Sequence, residues 1–141
     1  MADISAADVM KLRKLTGAGM MDCKSALADA NGDFDRAIEI IREKGKAIAN
    51  KRADREASEG CVLAKVAGKK AGIIVLNCET DFVAKNQGFI DLTEKMLDVA
   101  IASNASNLEE ALALTMDGRT LADHVIEQTG VIGEKIQLSY Y

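Results

Sequence analysis

The stretch GCVLAKVAGKKAGIIVLNC, residues 60–78, decides the fold class of this chain. Residues 61–67 and 71–78 are mostly apolar, interrupted by Lys65 and Asn77, and β-branched side chains are concentrated in the second run. The Gly68-Lys69-Lys70 segment between them has turn composition, so the pair predicts a β-hairpin. Because the second run is almost wholly apolar, we expect it to be buried on both faces, with helices covering the sheet.

Upstream of the hairpin, the first fifty-odd residues predict three short helices. Ser5 and Asp8 have capping-box spacing at the start of the first helix, and Gly17 is placed to end it. Asp22 is predicted to cap the second helix and Asp33 the third. Helices this short are stable only when they pack on one another, so we expect one compact three-helix module.

Downstream of the hairpin, helical spacing predicts a long helix whose apolar stripe consists of Phe89, Leu92, Thr93, Met96, Val99 and Ala100. Two shorter helices are expected near residues 108–112 and 121–126, with Gly130 after the second. Alternation over residues 135–141 predicts a final strand. The fold class is therefore α+β, a three-helix module followed by a hairpin, covering helices and a last strand of an incomplete α+β core.

Charge is distributed unevenly and indicates two modules. Up to Arg55 there are 11 Lys+Arg against 9 Asp+Glu, and after it 7 against 13. The polar residues 42–56 predict a solvated helical linker, so we expect domains at residues 1–55 and 56–141. An alternative is that the basic residues 42–55 contact RNA or an acidic partner. The net charge of −4 and the acidic body argue against it.

Several classes of site lack their sequence signatures. Cys23, Cys61 and Cys78 have no CxxC spacing, which indicates neither a zinc site nor a disulfide framework, and we expect no metal or cofactor. The glycines at 17 and 19 match no phosphate-binding pattern, so direct nucleotide binding is not expected. A Cys78–His124 pair has no flanking signature of a catalytic site. No apolar run is long enough for a membrane span and no signal peptide is recognisable, so we expect a cytoplasmic chain.

The segment between the second strand and the long helix, residues 79–86, reads ETDFVAKN. Two interpretations of its aromatic residue are open. Phe82 either closes the core of the hairpin, or it is presented outward with Asp81 to a partner. Loops on a rigid scaffold carry many binding residues, and aromatic side chains are frequent interface anchors.

Three motifs in this chain resemble the elongation factor Ts family of bacteria and organelles. They are TDFVAKN at residues 80–86, LTGAGMMDCK at 15–24, and ANGD at 30–33 followed by Ala37-Ile38. They occur in the family's order, and the resemblance covers the chain from end to end. It implies a guanine-nucleotide exchange factor of translation elongation rather than an enzyme.

The resemblance also implies a partner and contact residues. The implied partner is elongation factor Tu, both GDP-bound and nucleotide-free. From charge and hydropathy, no membrane or direct nucleic-acid partner is expected. The N-terminal module is implied to have a ubiquitin-associated-like fold and to contact the partner's GTP-binding domain through Arg13, Met20 and Met21. The loop is implied to act near the partner's magnesium and phosphates through Thr80, Asp81, Phe82 and Val83. Ile132 and Gly133 align with a supporting contact.

Members of the family usually continue past this point, so we expect a truncated core sheet. Such a sheet has an unpaired edge, and self-association is then expected. We also expect this piece to dock and exchange more weakly than a complete factor. The principal alternative function is a helical protein-binding adaptor without exchange activity.

Overall fold

A computed structural model describes residues 3–141, which are of mixed α+β class as predicted. Their contacts form two compact units. The first consists of residues up to 51 together with 127–133, and the second of residues 52–126 together with 134–141. The expected domain division at residue 55 stays a prediction.

The first unit contains the three N-terminal helices, α1 (Ala6–Thr16), α2 (Met20–Asp29) and α3 (Phe34–Lys51). Ser5 caps α1 as predicted, because the backbone amide of Asp8 donates to its hydroxyl oxygen at 3.1 Å. Gly17 ends α1 in the left-handed conformation with φ of 72°, which favours glycine. Asp33 caps α3 by accepting a hydrogen bond from the amide of Arg36 at 3.1 Å.

The predicted start of α2 was wrong. The helix begins at Met20 with Gly19 as its N-cap, three residues before the expected cap. Asp22 therefore lies in the first helical turn rather than at the cap, where its charge complements the helix dipole. Its carboxylate accepts a hydrogen bond from the Lys44 ammonium group at 2.5 Å.

Small and medium side chains fill the core between these helices. Thr16 lies at its edge and donates a hydrogen bond from its hydroxyl to the carbonyl of Leu12 at 2.9 Å. The buried apolar residues of the core are Val9, Leu12, Ala18, Cys23, Ala26, Leu27, Ala30, Ala37 and Ile41. Close packing of such side chains is what stabilises helices that are too short to persist alone.

The second unit contains the sheet and its helices, which in chain order are β1 (Glu59–Ala67), β2 (Lys70–Cys78), α4 (Asp81–Ala84), α5 (Gln87–Ala102), α6 (Leu108–Leu112), β3 (Thr115–Met116), β4 (Arg119–Thr120), α7 (Leu121–Ile132) and β5 (Gln137–Tyr140). The last turns of α7 belong to the first unit. The sheet is antiparallel with strand order β1-β2-β5, so the predicted hairpin and final strand are both present.

Burial on both faces of β2 was predicted wrongly. Ile74, Leu76 and Cys78 are buried, whereas Ile73 on the opposite face is half exposed. The helix α5 packs against one face, and Gly72 permits this because an added Cβ would lie 2.9 Å from Ile101 Cγ1. Val62 and Val66 of β1 share the open face with Ile73. The expected self-association stays a prediction.

The end of α7 also differs from the prediction. Gly130 lies inside the helix, which continues to Ile132 and is ended by Gly133 with φ of 78°. A Cβ added at Gly130 would lie 2.7 Å from Gly45 Cα. Gly130 is therefore needed for close backbone approach to α3 within the first unit.

Candidate partner-binding site

The segment that follows β2 forms a single helical turn, α4, which sequence patterning did not predict. Thr80 is its N-cap, with extended backbone and a side chain that accepts a hydrogen bond from the amide of Val83 at 3.4 Å. Lys85 pairs with Asp81 one turn earlier at 3.2 Å. Threonine is a favoured N-cap because its hydroxyl satisfies one of the free amides of the first turn.

The ring of Phe82 points away from its own unit. It is 83% exposed, the largest exposed fraction among the large hydrophobic residues of the described chain. The interpretation in which Phe82 closes the hairpin core is therefore wrong. Asp81 is exposed beside it, while Thr80 and Val83 are partly buried. The four loop residues implied by the resemblance thus lie together on one short turn.

Glu134 holds the chain that enters this turn. Its Oε1 accepts hydrogen bonds from the backbone amides of Glu79 at 3.1 Å and Thr80 at 3.0 Å. Its Oε2 accepts a third, from the Thr80 hydroxyl, at 2.7 Å. Three donors on one carboxylate fix both the backbone and the capping side chain of the turn.

Glu79 makes the reverse connection. Its Oε1 accepts a hydrogen bond from the backbone amide of Lys135 at 2.7 Å and another from Arg52 at 2.9 Å. Arg55 lies 3.6 Å from the second oxygen. The amide of Lys135, followed by the Arg52 and Arg55 charges, lowers the pKa of the Glu79 carboxyl below its ordinary value.

Sequence analysis missed both glutamates because nothing local distinguishes them. Each glutamate forms hydrogen bonds with residues that lie 54–56 positions away in the sequence. The available signal was position: Glu79 directly precedes the loop motif, and Glu134 directly follows the glycine that ends α7.

The residues implied in the N-terminal module are surface residues. Arg13 is exposed on α1, and Met20 and Met21 are 41% and 75% exposed at the start of α2. Adjacent exposed methionines form an adaptable apolar contact surface. These residues belong to a different unit from the α4 turn.

Ile132 and Gly133, for which the resemblance implies a supporting contact, are partly exposed at the end of α7. Gly133 also has a local task, because its amide donates to the carbonyl of Thr129 at 2.9 Å and its positive φ terminates the helix. A substitution at Gly133 would therefore change the backbone as well as any surface.

The two residues of the formal cysteine–histidine pair, Cys78 and His124, each bond to a backbone carbonyl. The Cys78 thiol donates to the carbonyl of Thr80 at 3.2 Å, and burial, followed by the Glu134 charge, raises its pKa to about 11. The His124 Nε2 atom bonds to the carbonyl of Met116 at 2.5 Å. Within residues 3–141 no group of His, Cys, Asp and Glu side chains has the geometry of a metal site. The helices of the same residues include none long and apolar enough to cross a bilayer.

Cations of the basic linker take part in ion pairs. Arg52 and Arg55 face Glu79, and Lys44 pairs with Asp22. Lys135 donates to the backbone carbonyls of residues 53 and 55 at 2.8 and 3.1 Å. These contacts give several of the linker charges a structural partner inside the chain.

An exposed aromatic ring on a hydrogen-bonded turn, beside an acidic side chain, is typical of a protein-binding module. Comparison with known proteins identifies similar sequences. The family described as Elongation factor TS matches residues 79–141, which include the α4 turn and Glu134. Similar curated proteins are elongation factors Ts of Bacteroides fragilis (59% identity over 138 residues), Phocaeicola vulgatus (57% over 138) and Flavobacterium johnsoniae (56% over 140).

Each of these matches covers 98% of the chain. The chain spans about two fifths of the length of these relatives, 42% for the first two and 43% for the third. The resemblance to elongation factor Ts is therefore confirmed.

Proposed function

We propose that the chain acts in translation elongation as a guanine-nucleotide exchange factor, docking on elongation factor Tu and promoting release of its GDP. Similarity to elongation factors Ts at 54–59% identity supports the role and the partner. The observation that carries the mechanism is the 83% exposure of Phe82 on a turn that its own unit holds in place.

The action is thermodynamic linkage rather than bond chemistry. A factor that binds the empty GTPase more tightly than the GDP-bound form must weaken GDP binding by the same factor. The chain consequently needs no catalytic group or cofactor of its own. It binds both the GDP-bound and the nucleotide-free partner, with the stronger affinity for the latter.

Phe82 and Asp81 are the residues proposed to disturb the partner's magnesium and phosphate contacts. Those contacts stabilise much of the negative charge on the phosphates of bound GDP, so their loss lowers the barrier to release. Each tenfold acceleration corresponds to about 1.4 kcal/mol. One well-buried aromatic anchor contributes roughly 2 kcal/mol or more, so Phe82 accounts for part of the acceleration and other contacts for the rest.

The N-terminal module, proposed as residues 1–55 with a ubiquitin-associated-like fold, supplies docking contacts. Met20 and Met21 present exposed thioether side chains, and Arg13 presents a charge. Ile132 and Gly133 add the supporting contact from the end of α7. The remaining residues, 56–141, form the core module that carries the α4 turn.

Release of a fluorescent GDP analogue from elongation factor Tu tests this function. With excess unlabelled GTP present, the release rate should increase with the concentration of the chain and then saturate. GDP should also lower the affinity of elongation factor Tu for the chain, by the same factor by which the chain lowers its affinity for GDP. A chain that binds with no change in release would be an adaptor, and the exchange function would be refuted.

A further inference from the structure

We infer that Glu134 is the positioning residue of the Phe82 turn: its carboxylate holds Glu79 and Thr80 so that the ring is already oriented before any partner arrives. The consequence for exchange rests on the proposed function. The geometric claim does not, since it concerns the free chain alone.

The bonds of Glu134 form a continuous connection to the turn. Its Oε1 binds two consecutive backbone amides, those of Glu79 and Thr80. Its Oε2 accepts a hydrogen bond from the Thr80 hydroxyl at 2.7 Å. With that hydrogen committed, an oxygen lone pair of the same hydroxyl faces the amide of Val83 at 3.4 Å. Glu134 thereby fixes the rotamer of the N-cap on which α4 depends.

Apart from Glu134, the turn is held mainly by short-range bonds: the amides of Ala84 and Lys85 donate to the carbonyls of Thr80 and Asp81 at 3.2 and 3.0 Å. It is four residues long, and a helix of one turn is unstable in isolation. Phe82 is 83% exposed and so makes little packing contact within its own unit. The orientation of the ring therefore depends on the backbone of the turn, and Glu134 binds the segment that enters it.

The connection is reciprocal, which makes it stiffer. While Glu134 binds the amide of Glu79, the carboxylate of Glu79 binds the amide of Lys135 at 2.7 Å. Arg52 bridges both oxygens of Glu79, at 2.9 and 3.2 Å. Two crossed carboxylate-to-backbone contacts prevent the two segments from sliding past each other.

An ordered turn should affect the rate of nucleotide exchange more than the affinity of docking. An ordered turn loses little conformational freedom on docking, so more of the contact energy remains for displacing the nucleotide. A disordered turn leaves the docking contacts elsewhere on the chain unaltered. Loss of the Glu134 carboxylate should then lower the maximal rate of GDP release more than it raises the chain concentration needed for half of that rate.

Backbone ¹⁵N relaxation of the full chain tests the geometric claim. The unsubstituted chain should give order parameters of about 0.85 for the amides of residues 81–83, and Glu134→Ala should lower them to about 0.6 or less. Glu109→Ala removes an exposed carboxylate from the same unit and should leave them unchanged. Unaltered order parameters in a folded Glu134→Ala chain would overturn the inference.

Glu134→Gln keeps the test decisive if Glu134→Ala loses its cooperative thermal unfolding. Its amide oxygen still accepts the two backbone bonds, but its amide nitrogen replaces the acceptor of the Thr80 hydroxyl. Order parameters between those of the parent and 0.6 support the inference, and values equal to the parent's overturn it.

GDP release then separates the two claims. A several-fold fall in the maximal rate for Glu134→Ala, with a smaller change in the half-saturating concentration, supports both. Lower order parameters with an unchanged maximal rate would retain the positioning claim and reject the proposed action of Phe82.

Discussion

The backbone amide of Glu79 donates a hydrogen bond to the carboxylate of Glu134 at 3.1 Å, and the carboxylate of Glu79 accepts one from the residue after Glu134. This exchange joins the end of β2 to the start of the segment leading into β5. The α4 turn begins at Asp81, directly beyond this junction. The exposed ring of Phe82 thus lies on a turn whose entry is held by two partly buried carboxylates.

Glu79 should make the stability of the chain depend on pH. Its pKa is lowered in the folded state, so its contribution is complete above the ordinary value of 4.5 and is lost as the pH falls through the lower folded pKa. In urea unfolding, the free energy of unfolding of the unsubstituted chain should exceed that of Glu79→Gln by a constant amount near neutral pH. This difference should become smaller below pH 4.5. The exposed Glu56 provides a control variant, Glu56→Gln. A gap that does not vary with pH would contradict this assignment.

Cys78 should resist alkylation in the folded chain. With a pKa of about 11, its thiolate fraction at pH 8 is far below that of an ordinary thiol with a pKa of 9.0. Two pKa units correspond to a reduction on the order of a hundredfold, and burial slows the reaction further. Iodoacetamide labelling followed by peptide mass mapping, with and without urea, measures the difference. Equal labelling of Cys78 in both conditions is the contrary result.

Gly130→Ala should destabilise the first unit. The added Cβ would lie 2.7 Å from the Cα of Gly45, and backbone atoms cannot move aside as a flexible side chain can. Overpacking of this kind costs about 1–3 kcal/mol, which thermal unfolding would register as a lower Tm. Gly19→Ala is the matched control, since its Cβ would meet Asp22 Oδ2 at an ordinary 3.6 Å. Equal melting temperatures for the two variants would disprove the close-approach argument.

The two methionines of α2 should affect docking rather than the maximal rate of exchange. Replacing Met20 and Met21 together with alanine removes exposed apolar contact area, and we expect binding to elongation factor Tu to weaken about tenfold. Met10→Ala removes a methionine that is 43% exposed on α1, and should have little effect. Titration of the release rate against chain concentration separates the two quantities. A fall in the saturating rate alone would assign these residues to another step.

Sequence patterning predicted the elements well where one local rule decided the structure. Gly17 ends α1 with the positive φ that its type favours, and Ser5 and Asp33 cap their helices. The hairpin follows its glycine turn, where Gly68 has φ of 63°. These features depend on neighbours within a few residues, and such neighbours are visible in the sequence.

The errors and omissions arose where the outcome depended on distant residues. The open face of β2 follows from α5 covering only one side of the sheet, which the apolar run itself cannot indicate. The sequence predicted a helix end at Gly130, but the lack of a side chain there lets its backbone lie close to that of Gly45. Glu134 and Thr80 are 54 residues apart, so no spacing rule connects them. For the site, the resemblance supplied the loop residues, and the structure supplied what holds them.

The most direct test of the account compares Phe82→Ala with the parent in GDP release from elongation factor Tu. Because the ring is 83% exposed, the two should melt alike, while the acceleration of release should fall about tenfold or more. Val66→Ala, which removes a side chain that is 74% exposed on the open face of the sheet, is the matched control and should retain full acceleration. Undiminished release by a folded Phe82→Ala chain would contradict the central claim.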